Sequence, residues 1–233
     1  MNKIENVNDT ILNFKTKFVL IRGLVAGAIG GMFMGLFMMA YTFFAGMGFF
    51  TPLNIGISSI FYTVSPPQSM IPMLTKEMGH NATPQMMSQI MTIKAGHPTN
   101  SVVASLMKEM PSNLRNQVMN TMPVSFSRVF VGLMAHMAFS MMIGLSIGLL
   151  LLVFRRRLNN FAANSVTLMA ITILISLMVF FINEYLIMKH VAPMITVMPI
   201  IPFLIAHIIF GAVVGGVLIF GKSKNVLTIL RTN

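Results

Sequence analysis

"VFVGLMAHMAFSMMIGLSIGLLLLVF", Val129 to Phe154, contains no charged residue, and its reading decides the fold. A helix rises about 1.5 Å per residue, so roughly 20 apolar residues cross the ~30 Å hydrocarbon core of a bilayer. Three further stretches have that length and character: Gly23 to Phe50, Phe161 to Met188 and Pro202 to Phe220. The expected fold class is an all-α integral membrane protein with four transmembrane helices. Of the 233 residues, 55% are hydrophobic and 9% charged, and the mean hydropathy is +0.80. That balance is too apolar for a water-soluble domain.

The formal net charge of +11 would suit nucleic acid if it formed a stripe with interleaved aromatics, but the basic residues are distributed around the apolar runs. They read as topology. Lys15, Lys17 and Arg22 precede the first span, Arg155, Arg156 and Arg157 separate the second from the third, and Lys222, Lys224 and Arg231 follow the fourth. The excess places the tails 1–22 and 221–233 and the loop 155–160 in the cytoplasm, and the protein in the plasma (cytoplasmic) membrane as a multi-pass chain. The first span is too long for a signal-peptide core and is read as retained. Tyr41, Tyr62 and Tyr185 then gather near the outer surface.

The outer connections are 51–128 and 189–201. The first opens with the apolar "TPLNIGISSIFY", Thr51 to Tyr62, which reads as an interfacial or re-entrant segment. Thr83, Pro84, a run to Lys94 and Gly96 follow the order cap, first turn, helix and stop. Ser101 to Met110 and Ser112 to Met122 each start at a hydroxyl residue and end at a proline. A short-helix extracytoplasmic cap is expected. The second connection carries Pro193 and Pro199 before Pro202 and reads as an interfacial crossing or a broken helix start.

Small residues recur every four positions in the spans. Gly23, Gly27, Gly31 and Gly35 line the first as a glycine zipper. Gly132, His136, Ser140, Gly144 and Gly148 line the second, and His207, Gly211 and Gly215 the fourth; the third span has no glycine. Such stripes let helix backbones approach closely. Aligning His136 with His207 gives the repeated pattern A-H-x-x-F-[S/G]-x-x-x-G and two pseudo-repeated helix pairs. Over His136 to Gly144 and His207 to Gly215 the pattern resembles that of small polytopic membrane proteins of unassigned function; the resemblance implies a helical membrane fold and no activity.

Both histidines sit at the top of a small-residue stripe, facing other helices and not lipid. Glu184 is the one acidic residue within a span, and an acid there is costly without a partner. Several readings follow for this layer. It could be an interhelical hydrogen-bond network, a metal site at His136, His207 and Glu184 with Met134 and Met137 nearby, a bis-histidine haem site, or a proton or substrate path. Among the 25 methionines and five histidines, Met87 with Met91 and Met107 with Met110 share helix faces. With His80 and His97 they form an outer inventory suited to Cu(I). Methionine is equally an adaptable apolar filler.

With no cysteine, thiolate chemistry and disulfides are excluded. No G-x-S-x-G elbow, H-E-x-x-H motif or nucleotide-binding loop is present, so catalysis is not expected. The leading expectation is binding or handling of a metal, with copper the first candidate, on the outer side of the membrane. The second is a structural or accessory subunit whose partners, beyond the bilayer, are other membrane subunits or further copies of the chain. A haem-bearing electron-transfer subunit is third.

Overall fold

The computed structural model describes residues 2–64, 66–78, 82–153 and 165–220. His80, Arg155, Arg156, Arg157, Lys222, Lys224 and Arg231 lie outside the described residues. All regular structure among the described residues is helical. α1 runs over Asn2–Phe44, α2 over Ile71–Met78, α3 over Pro84–Lys94, α4 over Asn100–Glu109, α5 over Ser112–Thr121, α6 over Phe126–Val153, α7 over Ser165–Ile182 and α8 over Ile200–Phe220. Four stretches are long and apolar enough to cross a membrane: Val19–Phe44, Phe126–Leu151, Ser165–Val191 and Ile200–Ile219.

The boundaries have local causes. The first span was expected to reach Phe50, but α1 stops at Phe44 because Gly46 adopts φ +72°. Across that glycine Met47 N donates to Thr42 O at 2.9 Å and Gly46 N to Phe43 O at 3.1 Å, the paired bonds of a Schellman stop. The α3 signals act as read: Thr83 Oγ1 accepts from Met86 N at 3.2 Å, Pro84 occupies the first turn, and Gly96 (φ +82°) ends the helix. α4 begins one residue before Ser101, because Thr99 is its cap and accepts from Val102 N at 3.3 Å. The short helix α2 was not among those expected; Pro72 sits in its first turn, where a missing N–H costs nothing.

The chain forms two compact units. The first comprises Met1–Met34, Met137–Val179 and Ile205–Asn233, and so holds stretches of α1, α6, α7 and α8. Among the described residues its buried apolar cluster comprises Ala26, Ile147, Leu168, Phe210, Val214 and Leu218. Glycines bring the helices together. A Cβ at Gly23 would lie 2.7 Å from Gly144 O, one at Gly27 would meet Ser140 O and lie 3.0 Å from Gly144 Cα, and one at Gly148 would sit 3.4 Å from Val19 O.

The second unit comprises Gly35–His136 and Phe180–Leu204. Here α2 to α5 bury a much larger core, with Leu74, Ile90, Ile93, Val103, Leu106, Met107, Val118 and Met119 among its members. The "TPLNIGISSIFY" segment is helical in an irregular way, π-helical over Pro52–Gly56 and 3₁₀ over Ile57–Ile60, and Thr51–Gly56 is buried within the unit. Two asparagines fix it. Asn54 Nδ2 donates to Pro123 O at 3.2 Å while its Oδ1 accepts from Ser125 N at 3.2 Å, which ties the segment to the start of α6. Asn100 Nδ2 donates to Ser59 O and Tyr62 O at 2.8 and 2.9 Å, and its Oδ1 accepts from Val64 N at 2.7 Å. The connection before α8 is also buried, and Met194 and Val197 complete the same core.

Candidate functional site

The histidine helices carry the strongest site expectation, and each is described within its own unit. In the first unit His207 is buried on α8, opposite the face of α7 that carries Thr172 and Ser176. Ser176 Oγ donates to His207 O at 2.6 Å. One and two turns further along α8, a Cβ at Gly211 would lie 2.6 Å from Ile173 Cα, and one at Gly215 would strike Thr172 Oγ1. Thr172 and Ser176 are fully buried, and Thr172 Oγ1 donates to its own helix at Met169 O, 2.8 Å away. The seam therefore places hydroxyls of one helix against the backbone of the other, and each hydroxyl donates to a backbone carbonyl.

In the second unit His136 is half-buried beside Gly35 of α1. The imidazole Nε2 would lie 3.2 Å from a Cβ at 35, a tight approach that the glycine relieves. Glu184 is part-buried in a π-helical turn, Asn183–Met188, that continues α7, and it lies within electrostatic reach of Lys108 on α4. Single π-helical turns are common where a helix carries a functional group, because the extra residue turns a side chain out of register.

The other expected residues divide between packing and exposure. Met107 and Met110 belong to the short-helix core, at 0% and 4% exposure, with Met87 against its edge. Met91 and Met134 are exposed, Met137 is half-buried, and His97 is exposed just beyond the α3 stop. Among the described residues, no group of three or more His, Cys, Asp and Glu side chains is placed to hold a metal ion. A shallow groove of about 460 Å³ lies elsewhere, lined by Gln68, Ile71, Pro72, Thr75, Lys76 and Lys94, and none of the expected residues lines it.

Of the packing residues, Gly23, Gly27, Gly144 and Gly148 meet at α1 and α6, Gly211 and Gly215 meet α7, and Gly35 faces His136, while Gly31 is buried. Sequence reasoning missed the α7 half of the second seam by looking for glycine. The signal was present as Thr172 and Ser176, four residues apart. No family model, no curated protein and no solved structure matches the chain.

Proposed function

We propose that the chain is a multi-pass plasma-membrane protein that acts by binding neighbours and not by catalysis, as a structural or accessory subunit of a larger membrane assembly. In this reading four spans form two pseudo-repeated helix pairs, first with second and third with fourth. Both termini face the cytoplasm, and the short-helix unit caps the outer ends. One observation carries it: of the candidate ligands, Met107, Met110, His136 and His207 sit at packing positions, while Met91, Met134 and His97 are exposed. Met107 and Met110 fill an apolar core, His136 occupies the gap left by Gly35, and His207 lies buried in a seam where Ser176 holds its carbonyl. The first unit offers two close helix seams and the second a well-filled core, each leaving apolar surface for a neighbour.

The test is purification of the wild type in mild detergent, with metal analysis, a visible spectrum and identification of co-purifying membrane proteins. The expected result is no bound metal, no Soret band and a defined set of partners, or a stable homo-oligomer. Near-stoichiometric copper, lost on changing His136 and His207 together to Ala while the protein stays folded, overturns the proposal in favour of metal handling at His136, His207 and Glu184. A Soret band lost in the same variant overturns it in favour of a haem subunit.

A further inference from the structure

The second unit exposes large aromatic side chains from five separate places in the sequence. Phe43 and Phe44 end α1, Phe49 and Phe50 stand in the following loop, Phe61 and Tyr62 close the irregular segment, Phe126 and Phe130 open α6, and Phe181 and Tyr185 end the third long helix. Phe44 and Phe126 are each 85% exposed. Several meet one another: Phe43 with Phe44 and Phe49 with Phe50 edge to face, and Phe126 with Phe130 and Phe181 with Tyr185 stacked. A water-facing surface with this many bare rings would be an aggregation liability. All lie in the one compact unit that also contains the α1, α6 and third-helix ends.

We infer that these rings form a collar seated in the headgroup layer of the bilayer, so that the short-helix unit is partly sunk into the membrane surface and does not stand clear of it in water. The inference rests on the membrane-spanning reading above and adds the depth at which the unit sits. Three observations select lipid as the occupant. The collar continues directly from helices that are apolar enough to cross a membrane, as an interfacial belt must. Cations accompany the rings: the Arg128 guanidinium lies 6.0 Å from the centre of the Tyr62 ring, and Lys189 and His190 are exposed beyond Tyr185, where lipid phosphates would meet them. Between the collar residues, the irregular π and 3₁₀ backbone of Pro52–Ile60 is largely buried in protein, the condition under which non-α backbone tolerates membrane depth.

The chain has no tryptophan, so a single introduced one reports its own surroundings. Four variants, Phe44→Trp, Phe126→Trp, Leu36→Trp and Met91→Trp, all at exposed positions, are reconstituted separately into phosphatidylcholine and phosphatidylglycerol vesicles carrying bromine either high or deep on the acyl chains. Leu36 lies eight residues before Phe44 on α1, hence about 12 Å deeper if the helix crosses the bilayer. Trp at 44 and 126 should emit to the blue of Trp at 91, resist aqueous iodide and be quenched most by the high bromines, whereas Trp at 36 should be quenched most by the deep ones. Iodide quenching at 44 and 126 equal to that at 91, with 36 still quenched by lipid, overturns the collar and leaves the spans intact. Equal preference of 44, 126 and 36 for deep bromine overturns it as well, because the rings would then lie in the hydrocarbon. If lipid fails to quench Trp at 36, the membrane-spanning reading itself fails.

Discussion

The two histidine-bearing helices solve one packing problem by different chemistry. Along α6, the contact with α1 at Gly23 and Gly27 is backbone on both sides, where they meet the main chain of Ser140 and Gly144. Along α8, contact with α7 is mixed: Gly211 lies against the backbone of Thr172 and Ile173, whereas Gly215 meets the Thr172 hydroxyl and Ser176 Oγ donates to His207 O. In lipid the solvent is as apolar as leucine, so burying larger apolar side chains between helices gains little, and close approach or hydrogen bonding must hold the pair. At the α1 and α6 glycines close approach is the feature that sets the seam. The hydroxyl seam combines shape with one polar contact, so it should tolerate adjustment where the first cannot.

The largest effect is expected where there is least room to adjust. Gly144→Leu would place a side chain where even a Cβ lies 2.5 Å from Gly27 Cα, so the variant should lose ~3 kcal/mol or more, or fail to form the pair, read as a collapse of the thermal midpoint in detergent. Gly215→Ala strikes a side chain instead and should cost about 1–3 kcal/mol. Adding Thr172→Ala should recover part of that loss. A double variant no more stable than Gly215→Ala alone would show that the seam is as rigid as its counterpart. Ser176→Ala removes only the bond to His207 O and should cost about 0.6 kcal/mol, with ~1.7 as a ceiling, again by thermal unfolding. Gly216→Ala, whose Cβ would meet nothing within 4 Å, should be neutral or stabilising by up to about 1 kcal/mol through helix propensity. Destabilisation there would mean that the bundle closes on that face in a way the two seams do not describe.

Much of this was legible in the residues themselves. The long helices follow from apolar length, the α3 limits from Thr83, Pro84 and Gly96, and the glycine contacts from four-residue spacing, because each depends on neighbours along one chain. Thr172 and Ser176 were overlooked because hydroxyl residues in an apolar helix have no single meaning; only an opposing Gly211 and Gly215 give them one. Asn54 and Asn100 gave no signal along the chain, because their value lies in partners 69 and 41 positions away. The methionine inventory illustrates the opposite difficulty. Composition suggested ligands, but a thioether is also a flexible filler, and whether Met107 and Met110 face a metal or a core is decided by where α4 sits.

Met194 and Val197 come from the connection before α8, yet they close the core formed by α2 to α5. Synthesis therefore delivers the last pieces of that core long after α5 has been made, once the third long helix is already in place. During the interval the short helices are an unfinished shell with an open apolar floor, accessible to protease or to a chaperone. Nascent chains arrested before residue 190 should be cut readily between α2 and α5, and chains arrested far enough beyond residue 200 for the connection to leave the ribosome and translocon should resist. The late wedge thus makes completion of the short-helix unit a report that the helix before it has been inserted.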